Sequence, residues 1–172
     1  MRGRRIIALA VVSAALLVLP AAVSAGGGGG SATGGSQLTV HNVFGLQTLE
    51  LQAFGFNART NTDGTTDGWY TYRELDDGAP FDARGPVTCL TIIGHDAWIG
   101  GVIDASNDPT VVGDGSWWHV TDNGQGAAGA TPDITTFLGI GTTADTQAFC
   151  ANHPAYRHPF AIDSGNIQVR GG

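Results

Sequence analysis

Apolar residues along this chain recur mostly at every second position, in short runs rich in Val, Ile, Thr, Phe and Trp. Gly, Asp, Asn and Pro break the runs at short intervals. A period of two is the signature of a half-buried strand, and the breakers are the residues that turns require. The pattern predicts strands near Leu38–Phe44, Leu49–Ala58, Gly68–Leu75, Gly85–Ile93, Ala97–Asp104, Gly115–Thr121, Ile134–Ile140 and Asn166–Arg170. No convincing amphipathic helix is visible. Strands at this spacing predict an all-β fold, a single antiparallel β-sandwich or small β-barrel of about eight strands.

Two hairpins can be argued residue by residue. Alternation over Pro86–Ile93 places Val87, Cys89, Thr91 and Ile93 on one face and Thr88, Leu90 and Ile92 on the other. Gly94-His95-Asp96 makes the turn, and the paired glycines Gly100 and Gly101 in the return strand predict a bulge or a close approach. A second hairpin joins Gln52–Ala58 to Trp69–Tyr72 through a polar loop. In Gly115–Thr121, Trp117, His119 and Thr121 fall on one face and Trp118 and Val120 on the other. Asp122-Asn123-Gly124 then signals a turn that Asp133 is placed to cap. The GNIQV segment near residue 168 is expected to close the sheet beside the first strand.

Ahead of this pattern lies a different kind of segment. Arg2, Arg4 and Arg5 precede an apolar run from Ile6 to Leu19, and Val23-Ser24-Ala25 offers small residues for cleavage. This reads as a signal peptide over residues 1–25, with a flexible Gly/Ser-rich linker over 26–37 and one all-β domain over 38–172. The expected location is secreted or extracytoplasmic.

Charge narrows the partners. The chain has no lysine; removing the three leader arginines leaves five cationic residues against 15 acidic ones, a net charge of −10 with His neutral. Such a surface repels phosphate backbones and anionic lipid, so neither nucleic acid nor, once the leader is gone, a membrane is an expected partner. An extracellular protein or a glycan is.

Cys89 and Cys150 are the two cysteines. In an exported chain a disulfide is the expected state, and closing so long a loop stabilises the fold by about 4 kcal/mol in loop entropy. Zinc held by both cysteines with His153 and His158 is the rival, but the second closely spaced ligand pair is missing. A thiol nucleophile served by His119 or His95 has no supporting signature.

The loop NTDGTTDG resembles a calcium loop in its oxygen-rich residues, with Asn61, Asp63 and Asp67 as metal candidates. On the EF-hand pattern Arg59 takes the first ligand position and Tyr70 the last, so a plain hairpin loop competes. Trp118, Tyr70 and Tyr72 are the aromatic candidates for a binding surface. No nucleophile elbow, phosphate loop, paired-histidine zinc helix or dinucleotide fingerprint occurs, and no catalytic residue or cofactor is assigned.

The ordered set FGFNA (54–58), VTCLTIIGHDAWIGG, VTDNG (120–124), Pro132-Asp133 and SGNIQVR (164–170) resembles the small secreted bacterial domains of the post-COAP type. The resemblance runs from Gln52 to Arg170 and implies a compact antiparallel β domain with no assigned activity; CANHPAYRHPF departs from it. The expected function is that of a secreted, non-catalytic accessory or interaction domain. A calcium- or carbohydrate-binding module is the first alternative. The second is a small β-barrel enzyme of cyclase or isomerase type, with His119 and an acidic partner in an internal pocket.

Overall fold

The computed structural model describes residues 29–41, 49–76, 78–124, 131–156 and 158–171. The expected signal peptide, residues 1–25, lies outside them. The described chain is mostly β: β1 (Ser31–His41), β2 (Leu49–Thr60), β3 (Thr66–Asp76), β4 (Ala79–Ile93), β5 (Asp96–Val102), β6 (Ala105–Ser106), β7 (Gly115–Thr121), β8 (Ile134–Thr135), β9 (Gly139–Gly141), β10 (Phe160–Ala161) and β11 (Ser164–Arg170). One helix, α1 (Thr143–Asn152), lies between β9 and β10. The strands form an antiparallel sheet in the order β10-β8-β7-β5-β4-β3-β2-β1-β11, curled into a half-barrel.

β4 makes the curl. Its first half pairs with β3 through Ala79–Pro86, and its second half with β5 from Val87 onward. The register shifts between Val87 and Cys89, a bulge that inserts one residue and bends the strand. The bulge also corrects the expected face assignment. Val87 joins the core with Leu90 and Ile92, while Cys89 faces α1. The glycine pair in β5 marks close approaches: a Cβ on Gly101 would stand 2.6 Å from the Pro86 carbonyl oxygen.

The expected linker over 26–37 is corrected. Ser31–Gln37 belong to β1, paired with β2 on one side and β11 on the other, so the sheet begins well before residue 38. Ala32 and Ser36 point inward and are buried. A Cβ on Gly34 would come within 2.7 Å of the Asn166 carbonyl oxygen and 3.0 Å of Ile167 Cα. Glycine is needed at 34 because the neighbouring β11 takes the space that a side chain would fill. β11 pairs with β1 as expected.

The expected strand over Ile134–Ile140 is two short pieces, β8 and β9, and α1 replaces irregular chain. α1 escaped the pattern because its buried face is only Thr146, Phe149 and Cys150, one of them polar. Its start is marked by a capping box between Thr142 and Asp145. The Cys89–Cys150 disulfide, as expected, ties α1 to β4 across a separation of 61 residues.

Inside the curl the interior is filled. Trp118 is fully buried and packs against Phe54, Phe56 and Tyr70 with ring centroids 5.1–5.8 Å away. Ile99, Val120 and Ile167 complete the layer. At the far end Leu38 and Val40 pack with Phe137 and Phe160.

Candidate binding face

Aromatic residues named from the sequence as surface candidates are core residues. Trp118 and Tyr70 are 0% exposed and Tyr72 2%, which corrects their assignment. The cause is parity: each sits at an inward position of its strand. Ser116 Oγ donates to the Tyr70 hydroxyl at 2.8 Å, and burial pushes that phenol up to about 12. Tyr72 donates to Glu74, and its phenol is raised first by burial and then by the neighbouring Glu74 and Glu50 carboxylates.

The Asn61–Asp67 segment is a hairpin loop whose carboxylates hold the loop itself. Asp63 accepts from the Thr65 N–H (2.9 Å) and hydroxyl (2.6 Å). Asp67 accepts from Asn61 Nδ2 (3.3 Å) and Arg59 (3.2 Å), and both carboxyls are held below the usual range by these bonds. Among the described residues no three His, Cys, Asp or Glu side chains gather as a metal site. The cysteines proposed as zinc ligands or nucleophile are joined in the disulfide.

The outer surface of the sheet divides in two. Over β5 and β7 it is roofed by α1 and the segment that follows it. Trp98 Nε1 donates to the Pro154 carbonyl at 3.0 Å, and His119 lies between Trp98 (4.7 Å) and a nearly parallel Tyr156 ring (6.5 Å). His119 Nε2 is 3.0 Å from Asp96 Oδ1 but too oblique for a ring N–H bond, and both ring nitrogens are buried without a hydrogen-bond partner. Burial pushes the imidazole below its ordinary value, against the opposing pull of Asp96. The pair sits on the outside of the sheet under packed aromatics. The space that a ligand inside the curl would need is filled by Trp118 and its neighbours.

Over β1–β3 and the first half of β4 the outer surface carries no helix: among the described elements, α1 packs chiefly on β5, β7 and the second half of β4. Register builds this face row by row. Leu51 stands opposite Leu75, and Leu75 opposite Pro80. The next row sets Gln37, Ala53, Arg73 and Asp82 side by side. Beyond it come Gly35, Gly55, Thr71 and Arg84. These first rows line a trough of about 600 Å³ that extends to Asp163 at the rim, where its carboxylate accepts the Thr39 N–H at 2.7 Å. Leu51 is 42% and Leu75 37% exposed, large apolar side chains that reach the surface.

Farther along β3, four residues or roughly 14 Å from Arg73 at the strand rise, Trp69 is 41% exposed on the same face. Its backbone N–H is fixed by Asn57 Oδ1 at 3.0 Å. Between Trp69 and the trough the floor is low because of Gly35 and Gly55. Neither has a positive φ, and a Cβ on Gly35 would meet only the Phe54 carbonyl oxygen, at 3.5 Å. Backbone geometry therefore does not demand glycine at 35; its effect is to leave the surface open.

This face was missed in the sequence, although a signal for it was present. Once Tyr70 and Tyr72 are inward, the same period of two sends Trp69, Thr71, Arg73 and Leu75 outward together. No family model, curated protein or solved structure matches this chain.

Proposed function

We propose that this protein is an exported, non-catalytic binding domain whose ligand, a glycan, lies along the open outer face of β1–β3 and the first half of β4. One observation carries the reading: an open trough flanked by exposed Leu51 and Leu75 continues over a glycine floor to an exposed Trp69. Monomeric proteins rarely leave contiguous apolar surface uncovered without a use for it. A tryptophan face accepts the C–H side of a sugar ring, and the amide and hydroxyl groups of Gln37, Asn57 and Thr71 are suited to its hydroxyls. The disulfide supports an extracytoplasmic setting, as does the resemblance to the post-COAP-type domains.

We read the finer architecture as an incompletely closed barrel. Support comes from Asp122 and Asp133, whose carboxylates accept the Val169 and Ile167 N–H groups and draw β11 toward the segments flanking β7 and β8.

The test is affinity electrophoresis of the oxidised protein through gels carrying individual soluble polysaccharides. Retardation by at least one of them is expected, lost in Trp69→Ala and Gly35→Thr while the melting temperature holds. A protein that migrates unretarded in every gel, or variants retarded as strongly as the parent, overturns the reading.

A further inference from the structure

Four of the five arginines beyond residue 25 stand on one face. Arg59, Arg73, Arg84 and Arg170 occupy outward positions of β2, β3, β4 and β11, and all four are exposed. The outward acidic residues of these strands are Asp67 and Asp82, so the strand positions of the face sum to +2, while Glu74 and Asp163 add two carboxylates to the lining of the trough. Everything else beyond residue 25 carries one arginine and thirteen carboxylates. A strongly acidic protein has thus concentrated its cations on the surface that holds the trough.

The four are not equivalent. Arg59 is ion-paired with Asp67 at 3.2 Å, and Arg170 donates to Gln168 Oε1 at 3.1 Å. Arg73 and Arg84 have no carboxylate within ion-pair distance among the described residues, although Arg73 stands directly across from Asp82. They lie on adjacent strands in neighbouring rows, Arg73 lining the trough and Arg84 beside the glycine floor. A guanidinium presents a planar fork of donors that matches a carboxylate two bonds at a time. An exposed fork next to an apolar trough is a recognition element for a ligand with carboxylates on an otherwise uncharged, ring-built frame.

We infer that the glycan this face takes is an anionic one, a polymer of carboxylate-bearing sugars, with Arg73 and Arg84 reading the carboxylates and Trp69 carrying a ring face. The inference rests on the glycan reading above and adds its charge. The remainder of the molecule, with one arginine against thirteen carboxylates, repels such a polymer more strongly than the strand positions of this face do.

The experiment uses two polymers of one backbone, polygalacturonate and its fully methyl-esterified form, in affinity electrophoresis and titration of the oxidised protein. Poly-glutamate serves as an anionic polymer without sugar rings. Binding of polygalacturonate at least tenfold tighter than of the ester is expected, with weakening as sodium chloride rises from 20 to 500 mM, because exposed charges are screened. The double substitution Arg73→Gln/Arg84→Gln should lower affinity at least tenfold, and Arg59→Gln should leave it within about twofold.

If the ester binds as well as the acid and the double substitution changes nothing, the anionic inference falls and the glycan reading stands. If neither binds but another neutral glycan does, the outcome is the same. If no polysaccharide binds, both fall. Equal binding of poly-glutamate with the same arginine dependence also overturns the inference, making the face a general anion surface. A melting temperature for the double variant within about 2 °C of the parent separates lost binding from lost folding.

Discussion

Asp133 joins two parts of the chain that no strand ladder connects. Its Oδ2 accepts the Ile167 N–H at 2.7 Å, and its Oδ1 accepts the Asn123 N–H at 2.9 Å. The side chain is buried, and Ile167 is among the most deeply buried residues of β11. Asp133→Ala therefore strands a buried backbone donor and removes a charged acceptor. A loss of about 2–4 kcal/mol in urea-induced unfolding is expected. Asp133→Asn keeps one acceptor oxygen and should lose less. A loss below 1 kcal/mol for alanine would show that the bridge contributes little.

The disulfide closes a loop of 61 residues and pins α1 to β4. Loop entropy assigns it about 4 kcal/mol. Reduction should lower the urea midpoint accordingly, and amide exchange should speed up first in α1, whose own buried face is small. If the amides of α1 and of β4 exchange alike after reduction, the helix is held by packing rather than by the bond.

His119 sets a pH dependence. Its folded imidazole titrates below the ordinary 6.5, first because of burial. The unfolded chain then binds more protons between 6.5 and the lower folded value, so this contribution to stability is fully present above 6.5 and is lost as pH falls through that window. Asp96 and Tyr156 are the ionisable groups that face it, and His153 packs against the neighbouring Trp98. Unfolding midpoints at pH 7.5, 6.5 and 5.5 should fall less steeply for His119→Asn than for the parent. Parallel slopes would mean that His119 titrates alike in both states.

Gln52 is 3% exposed, and neither its amide nitrogen nor its amide oxygen has a hydrogen-bond partner among the described residues. Its neighbours across the strands are Leu38 and Glu74. Gln52→Met keeps the length and removes both polar atoms. Thermal and urea unfolding should show a gain of about 1 kcal/mol. A loss would mean that the amide is satisfied in solution by groups other than protein.

Period-two alternation made the β2–β3 and β4–β5 hairpins legible, and the turn chemistry of Asp122 and Asp133 could be read from Asp-Asn-Gly and Pro-Asp alone. Parity could not be read through the bulge at Val87, because one inserted residue inverts every face assignment before it. The open outer face stayed hidden for a related reason. Aromatic content pointed to Tyr70 and Trp118, but sidedness depends on knowing what lies inside. Only the filled interior shows that Trp69 is the tryptophan left at the surface. The Ser31–Gln37 stretch was misread because Gly and Ser describe both a loose tether and a strand squeezed between two others.

Order of folding gives that stretch a further meaning. β1 lies between β2 and β11, so Ser31 pairs with Arg59 and also with Arg170. As the chain folds, β1 meets β2 across a short connection, but its other partner, β11, lies at the far end of the domain and pairs later. For that interval one side of β1 is an open edge that a stray strand could join. Gly34, Gly35 and Ser36 offer such an intruder little apolar surface to hold. The composition that made β1 look like a tether also keeps the folding chain from sticking to others of its kind until its own partner arrives.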